Sequence, residues 1–289
     1  GGRYFDYTKD RETIHEISYD VLRASRAVET IDETGQTLKA NLSYQATDNI
    51  LVYGDWSEGF RLGRGQAGVV ECEAAGISVD SIESDTSENF ELGVKSSFAD
   101  QRISVNASVY RIDWQGIPVN INPVDACFLF VNAGEAKLEG VELELQAFLT
   151  ENLKFDLSAS YNEAKLGTDL DGGGKKGQNL PGSADVNATL GLQYDFSLKG
   201  LDSFARIDYT YLGEYYSNFA ETGTPAGNYG QLNVKAGFIL DQFTVDLFIN
   251  NAANNDGLSW VSSYQTQFGL TTANRIRPRT IGINVGYQF

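Results

Sequence analysis

Hydrophobic and polar residues alternate with a period of two along about twelve segments of the chain. In the clearest segment, 280–289, one face carries Ile281, Ile283, Val285, Tyr287 and Phe289. Such alternation is typical of a β-strand whose two faces meet different surroundings. The other segments are 3–13, 38–44, 50–56, 90–98, 103–114, 141–149, 153–161, 186–196, 205–211, 231–240 and 243–250. The pattern predicts an all-β, antiparallel fold, and only near Arg111 do the polar and apolar faces exchange.

The connections between these segments alternate strictly between short and long. The short ones are 47–49, 99–101, 150–152, 197–201 and 241–242, and the long ones are 15–35, 60–86, 114–135, 166–183, 217–228 and 251–277. In an antiparallel meander, this places all long loops at one end and all tight turns at the other. A soluble sandwich with Greek-key crossings has no reason for such an asymmetry. A transmembrane β-barrel has it, with short periplasmic turns and long extracellular loops.

The face opposite the apolar one is too charged for a dry core. It carries Glu142, Glu144, Asp156, Asp185, Asp195, Arg206, Asp208, Lys235 and Asp246. Such a face suits the water-filled lumen of a barrel. All five prolines fall in long loops or at the start of a strand, where no ladder hydrogen bond is lost. We therefore predict an antiparallel transmembrane β-barrel with about twelve strands in this chain.

Composition and charge exclude several classes of function. The 289 residues include 22 Lys and Arg against 39 Asp and Glu, a net charge of −17, which argues against a nucleic-acid partner. No run approaches 18 apolar residues, so no transmembrane helix is expected. The single histidine, His15, leaves little for catalysis, and we expect neither an enzyme nor a cofactor or metal site. Residues 63–68 match G-x-G-x-x-G, but we expect no amphipathic helix after them to hold a nucleotide.

Several stretches resemble the barrel of TonB-dependent outer-membrane receptors. They are 59–61, 89–95, 132–144, 180–182, 250–251 and 277–289, in the order expected near the end of such receptors. The resemblance covers essentially the whole chain and corresponds to the last twelve of the family's twenty-two strands. The family's plug domain, its TonB box and its first strands have no counterpart in residues 1–289. We therefore expect residues 1–289 to be the C-terminal part of a larger barrel.

The resemblance implies transport of a scarce ligand, of the siderophore, cobalamin or carbohydrate class, powered by TonB through the plug. It also implies a place in the outer membrane of a Gram-negative bacterium, among lipid and lipopolysaccharide, with extracellular long loops and a periplasmic C-terminus. The aromatic strand with Ile281, Ile283, Val285, Tyr287 and Phe289 resembles the signal read by the barrel-assembly machinery. The alternative is a self-contained, passive twelve-stranded porin, in which the first strand would pair with the last.

Two sets of residues are candidates for special roles. Cys72 and Cys127 lie in two long loops on the same side of the membrane, in an oxidising compartment, so we expect a disulfide between them. Free thiols, or pairing with other parts of the protein, are the alternatives. For ligand contact, aromatic and arginine side chains in the long loops are favoured. The candidates are Arg61, Arg64, Trp260, Tyr264, Arg275 and Arg277, although loop aromatic residues can also form the interfacial girdle.

Overall fold

The computed structural model describes residues 1–15, 25–66, 69–121, 127, 129–132, 134–170, 174–219, 224–261 and 271–288. Nearly all regular structure in these residues is β-strand. The strands are β1 (Gly2–His15), β2 (Ser25–Thr47), β3 (Ile50–Arg61), β4 (Asp85–Phe98), β5 (Ile103–Gln115), β6 (Pro118–Ile121), β7 (Leu129–Asn132), β8 (Glu135–Phe148), β9 (Leu153–Leu166), β10 (Val186–Leu198), β11 (Leu201–Leu212), β12 (Tyr229–Leu240), β13 (Phe243–Asn250), β14 (Leu258–Val261), β15 (Ala273–Arg275) and β16 (Thr280–Tyr287). The helix α1 (Val69–Ala74) has six residues, and no helix in the described ranges is long and apolar enough to cross a membrane.

Twelve of the strands form one antiparallel sheet in chain order, β1-β2-β3-β4-β5-β8-β9-β10-β11-β12-β13-β16. Each corresponds to one of the twelve segments predicted from alternation, so the predicted fold class is confirmed. The tight turns also form as expected. Between Leu198 and Leu201, for example, Lys199 and Gly200 adopt φ angles of 53° and 83°, the combination that suits a two-residue hairpin turn.

The sheet does not close on itself. Strands β1 and β16 are its two edges, and no pairing joins them within the described residues. A complete twelve-stranded pore requires that pairing, because a barrel in lipid cannot leave backbone groups unsatisfied at an open edge. The wall formed by these strands is therefore an open sheet, as expected for part of a larger barrel.

The two faces of this wall differ as the alternation predicts. On the outer face, large apolar side chains stand exposed, including Leu42 (78% exposed), Ile281 (70%) and Leu92 (65%). They form rows across neighbouring strands, such as Leu247 opposite Ile283. The inner face carries charged and amide side chains. An exposed apolar surface of this extent suits hydrocarbon rather than water.

The exchange of faces near Arg111 is a change of surroundings and not a break in the strand. Pairing of β5 with β8 continues without a bulge from Ile103 to Gln115. Arg111 and Asp113 follow Val109 on the outer face, while Ile112 lies on the inner one. Where the outer face leaves the apolar band, polar side chains become favourable on it. Above that height, loops cover the inner face, and the inner-face side chains become apolar.

Aromatic side chains on the inner face lie over glycines of the next strand. Tyr53 is opposite Gly93, and Tyr110 is opposite Gly140. A Cβ atom at Gly140 would come within 2.5 Å of the Tyr110 ring, so the ring occupies the space that a side chain would need. These pairs fix the register of neighbouring strands and cover backbone that glycine leaves open.

The long connections contain more structure than the alternation predicts. The predicted loop 15–35 is wrong in extent, because β1 continues to His15 and β2 begins at Ser25. Loop 114–135 contains the β6–β7 hairpin, and loop 251–277 contains the β14–β15 hairpin. A helix does follow residues 63–68, since α1 begins at Val69. With six residues, α1 is too short to be the helix that a nucleotide site of the G-x-G-x-x-G type requires.

Candidate ligand-binding mouth

The long loops fold over the inner face at the end of the wall to which they belong, which we call the mouth. Leu166 and Ala164 of β9 and Ala136 of β8 are inner-face residues, and all three are almost completely buried. The side chains that pack in the same cluster come from the loops and include Ile117, Val119, Leu170, Leu180 and Phe219. Apolar burial of this kind holds the loops in place without ligand. These loops therefore pack into one apolar cluster on the inner face and are not independent of each other.

A second cluster joins loop 62–84 to the β6–β7 hairpin, and together they form what we call the clipped module. Cys72 and Cys127 form a disulfide with their Cα atoms 4.8 Å apart, and neither side chain is exposed. Leu129 packs against it, with Ile77 and Val79 at its margin. Two loops from neighbouring hairpins are thereby tied into one unit at the mouth.

Two amide side chains strengthen the clipped module. Asn132 accepts a hydrogen bond from the backbone of Glu83 (2.8 Å) and donates to the carbonyls of Glu83 (2.9 Å) and Gly116 (2.8 Å). Gln66 does the same for Phe130, accepting from its backbone N–H at 2.8 Å and donating to its carbonyl oxygen. The motif at 132–144 thus begins with Asn132, whose side chain joins two loops through hydrogen bonds.

The predicted ligand residues Arg61 and Arg64 lie beside this module, and both already have partners. Arg61 donates two hydrogen bonds of 2.9 Å to Asp85, whose side chain is only 4% exposed, and its guanidinium lies over the Trp114 ring at 5.3 Å. Trp114 donates its indole N–H to the same carboxylate. Arg64 lies over the Phe130 ring at 5.1 Å. The bidentate pair with Asp85 holds the guanidinium of Arg61 in one position.

The other predicted ligand residues lie near the opposite edge of the sheet. Trp260 is on β14 and is 45% exposed. Arg275 forms an exposed ion pair with Asp256 at 2.7 Å. The carbonyl of Arg277 accepts a hydrogen bond of 2.9 Å from the fully buried Asn251, which also exchanges two hydrogen bonds with Asn255. The structure thus separates the candidates into two groups. Tyr264 and Phe289 lie outside the described residues.

A pocket of about 340 Å³ opens at the mouth between the segment around Asp185 and the one around Tyr215. Its lining includes Asp185, Glu214, Tyr215 and Tyr216. The hydroxyl of Tyr215 donates a hydrogen bond to the Ser259 carbonyl at 2.7 Å, and burial raises the pKa of Tyr215. The phenol is therefore neutral at physiological pH. The pocket offers hydroxyl donors and carboxylate acceptors beside aromatic rings.

Below the mouth, charges on the inner face pair both along a strand and across strands. The pairs are Lys39 with Asp55 (3.1 Å), Arg206 with Asp156 (3.1 Å) and Asp208 (2.7 Å), and Lys235 with Asp246 (3.3 Å). All of these side chains except that of Asp246 are partly exposed, and together they give the wall a wet surface whose charges are largely paired. Within the described residues, no group of three or more His, Cys, Asp or Glu side chains could hold a metal ion.

The residues that organise the mouth were recognised in the sequence only as parts of motifs. Asn132 and Asn251 fall in stretches that resemble the receptor family, yet nothing in the sequence shows that their amides hold loops together. Asp85 and Trp114 were not singled out at all. Their roles depend on contacts with residues at least 24 positions away, such as Arg61 with Asp85. Alternation cannot report such contacts.

The fold and the inner face define the wall of a large transmembrane β-barrel. Residues 1–252 match the family described as "TonB dependent receptor-like, beta-barrel", and the chain belongs to this family of outer-membrane receptors. The chain is similar to the probable TonB-dependent siderophore receptor PiuA of Acinetobacter baumannii, with 27% identity over 130 residues, which are 43% of this chain and 16% of that protein.

Solved structures show the same fold. The ferric yersiniabactin uptake receptor FyuA from Yersinia pestis superposes with a TM-score of 0.72 and 17% identity, over 91% of this chain and 38% of that one. The siderophore receptor PiuA from A. baumannii gives a TM-score of 0.71 and 19% identity, over 98% of this chain and 39% of that one. The chain thus spans about two fifths of the length of these receptors.

Proposed function

We propose that this chain is the C-terminal wall and mouth of a receptor that takes up a ferric siderophore across the outer membrane, powered by TonB. The observation that carries this proposal is the family match, joined to a wall that does not close on itself. Of the similar proteins described above, PiuA is a probable TonB-dependent siderophore receptor and FyuA is a ferric yersiniabactin uptake receptor. Their family is one of receptors and transporters rather than enzymes.

A passive twelve-stranded porin is disfavoured by the same sheet. Its closure would need β1 against β16, and those strands are opposite edges. In a larger barrel, these edges are satisfied by further strands, and a separate plug can occupy the wide lumen. The partly exposed, charged inner face is suited to contact with such a plug and with water.

Uptake of radiolabelled iron, and of radiolabelled cobalt in the case of cobalamin, tests the proposal directly. Ferric catecholate, ferric hydroxamate, ferric citrate and cobalamin are supplied to cells that lack the receptor gene, to cells that lack TonB, and to complemented cells. We expect uptake of one ferric siderophore to be lost in both deletions and restored by the whole receptor. Uptake that persists without TonB would point to a passive pore, and a loss confined to cobalamin would contradict the ligand class.

The mouth pocket supplies a matched pair of variants for the same assay. Tyr216→Ala removes an aromatic side chain from the pocket lining, whereas Tyr194→Ala removes one from the outer face, where Tyr194 is 48% exposed. We expect the first to weaken binding of the transported siderophore and the second to leave it unchanged. Equal effects of the two variants would place the ligand elsewhere.

The proposal includes an orientation, with the mouth outside the cell and the C-terminus in the periplasm. An epitope inserted after Gly177, in a loop of the mouth, is then expected to bind antibody on intact cells. The same epitope inserted between Lys199 and Gly200, in a tight turn, is expected to bind only after permeabilisation. The opposite result would invert the orientation.

A further inference from the structure

The clipped module and the β4–β5 hairpin below it are built from one continuous stretch of chain, residues 61–132. We propose that this stretch folds and closes its disulfide in the periplasm, before the barrel is inserted, and that it crosses the outer membrane as an already folded unit. The direction of crossing rests on the orientation in the proposed function. The reaction that supplies the closed module is then oxidation by a periplasmic enzyme that carries a reactive disulfide.

The β4–β5 hairpin is the base of this stretch. Its pairing runs without interruption from Thr86 opposite Gln115 to Phe98 opposite Ile103, and its tight turn, 99–101, lies at the end away from the module. One cysteine precedes the hairpin and the other follows it, 55 positions later. Pairing of the hairpin therefore carries both cysteines to the same end, so that only the two loop segments have to be ordered before the ring can close.

The hydrogen bonds that organise the module also begin and end within residues 61–132. Gln66 accepts a hydrogen bond from the backbone of Phe130 and donates one to its carbonyl oxygen. The side chain of Asn132 does the same for the backbone of Glu83. Each of these bonds joins the segment before the hairpin to the segment after it. They hold the two cysteines near each other without help from the rest of the wall.

The junction between the module and the hairpin is equally local. Arg61 and Trp114 both donate hydrogen bonds to the buried Asp85. The contacts of the module with other strands include a hydrogen bond from Ser84 to Glu33 and the packing of the β6–β7 hairpin against the apolar cluster on β8 and β9. Those contacts form only when neighbouring strands join the wall. The local ones do not have to wait, because contacts that are close in sequence form faster than distant ones.

The burial of both sulfur atoms fixes the order of oxidation and packing. In the closed module, neither cysteine side chain is exposed, and Leu129 packs against the pair. A thiol that exchanges with the disulfide of an enzyme has to be accessible to that enzyme. In the bacterial envelope, the enzymes that keep thiols oxidised act in the periplasm. Oxidation therefore precedes final packing of the module, and it precedes the passage of the mouth to the outside.

The step is a thiol–disulfide exchange in two parts. One receptor thiolate, of Cys72 or Cys127, attacks the disulfide of the oxidase, which forms a mixed disulfide and releases one enzyme thiolate. The second receptor thiolate attacks the receptor sulfur of the mixed disulfide, which forms the Cys72–Cys127 bond and releases the other enzyme thiolate. The receptor loses two protons and two electrons, and the enzyme disulfide becomes a dithiol. With two cysteines in residues 1–289, no wrong pair forms within this chain.

Trapping the whole receptor before insertion tests the proposal. The receptor is expressed in cells depleted of the barrel-assembly machinery, thiols are alkylated, and the peptides that contain Cys72 and Cys127 are quantified by mass spectrometry. We expect the trapped receptor to carry the disulfide, and its reduced fraction to rise at least about tenfold in cells that lack the periplasmic oxidase. A trapped receptor with both thiols free, in cells that hold the oxidase, would overturn the proposal.

A double variant separates folding of the module from oxidation alone. Gln66→Ala with Asn132→Ala removes local hydrogen bonds but keeps both cysteines, and we expect the trapped receptor to be oxidised at least about threefold more slowly in a pulse-chase. Asn251→Ala, which removes a buried amide near the last strand, is the matched control and should leave the rate unchanged. Equal rates in the double variant and the unaltered receptor would mean that the module is unfolded before insertion, which overturns the proposal. These readouts need no siderophore, and the epitope test checks the orientation separately, so failure here is distinguishable from failure of the proposed transport.

Discussion

Removing the disulfide of the clipped module should loosen the mouth without unfolding the wall. The change is the double variant Cys72→Ala with Cys127→Ala, which leaves no free thiol. Both side chains are completely buried and alanine removes only the sulfur atoms, so packing changes little. The main expected effect is the return of chain entropy to the opened loops.

The structure sets the magnitude. The two cysteines are 55 positions apart, which in the chain-entropy model corresponds to about 4.2 kcal/mol for an unfolded chain. In the folded wall the path is shorter, because β4 pairs with β5 from Thr86 opposite Gln115. The free path is then about 25 residues, from 72 to 85 and from 115 to 127, and corresponds to about 3.5 kcal/mol. Contacts of Asn132 and Gln66 remain, so about 3.5 kcal/mol is an upper value.

Hydrogen exchange of the whole receptor measures this loosening. The backbone N–H of Ile77, which donates to the Cys72 carbonyl, and that of Phe130, which donates to Gln66, report on the module. Their protection should fall by between about tenfold and 300-fold, since each tenfold corresponds to about 1.4 kcal/mol. Amides of β10 and β11 serve as internal control and should not change. A fall below threefold, or an equal fall in the control strands, would refute the reasoning.

Three further predictions follow from single contacts. Gly140→Val should displace the Tyr110 ring and destabilise the wall by about 1–3 kcal/mol, seen as a lower temperature of heat modification on gels, and adding Tyr110→Ala should restore part of the loss. Asn251→Ala should cost about 1–3 kcal/mol by leaving the Arg277 carbonyl without its donor, and faster proteolysis near 277 would show it, whereas unchanged cleavage would contradict the role. Burial raises the pKa of Tyr215 in the folded protein. The contribution of Tyr215 to the free energy of unfolding should therefore be complete below pH 10 and decline as pH rises through the folded pKa. The ultraviolet titration of the unaltered receptor, minus that of Tyr215→Phe, should show an ionisation above pH 10.

The sequence predicts the wall far better than the mouth, for a physical reason. Inside the apolar band, each strand has hydrocarbon on one side and a wet lumen on the other, so period-two alternation is imposed on every strand. Beyond the band, both faces meet water or other loops. The upper part of β2 keeps its ladder with β1 there, including Glu33 opposite Tyr7, but its residues no longer alternate in polarity. Hydrogen bonds continue where the hydrophobic signal has ended.

The predicted ligand residues show the same limit. A sequence-based choice of loop arginines assumes that each guanidinium is available to a ligand. In the structure, Arg61 is paired with Asp85 and Arg275 with Asp256. The disulfide was easier to anticipate, because loop placement and compartment already limit the partners of two cysteines. A contact such as Asn132 with Glu83 has no such constraint, since any amide can bond to any backbone. Specific polar contacts at the mouth therefore need three-dimensional information.

The limit of the apolar band can be located on three neighbouring strands from where polarity changes on the outer face. One row of paired outer residues is apolar and aromatic, and the next row toward the mouth is charged: Val109, Val141 and Tyr161, followed by Arg111, Glu139 and Glu163. Pairing is continuous through both rows, so the change records the surroundings and not the backbone. A break in alternation within an otherwise regular strand thus indicates a membrane boundary. By this reasoning, Arg111 and its ion pair with Asp113 lie at the level of the lipid headgroups.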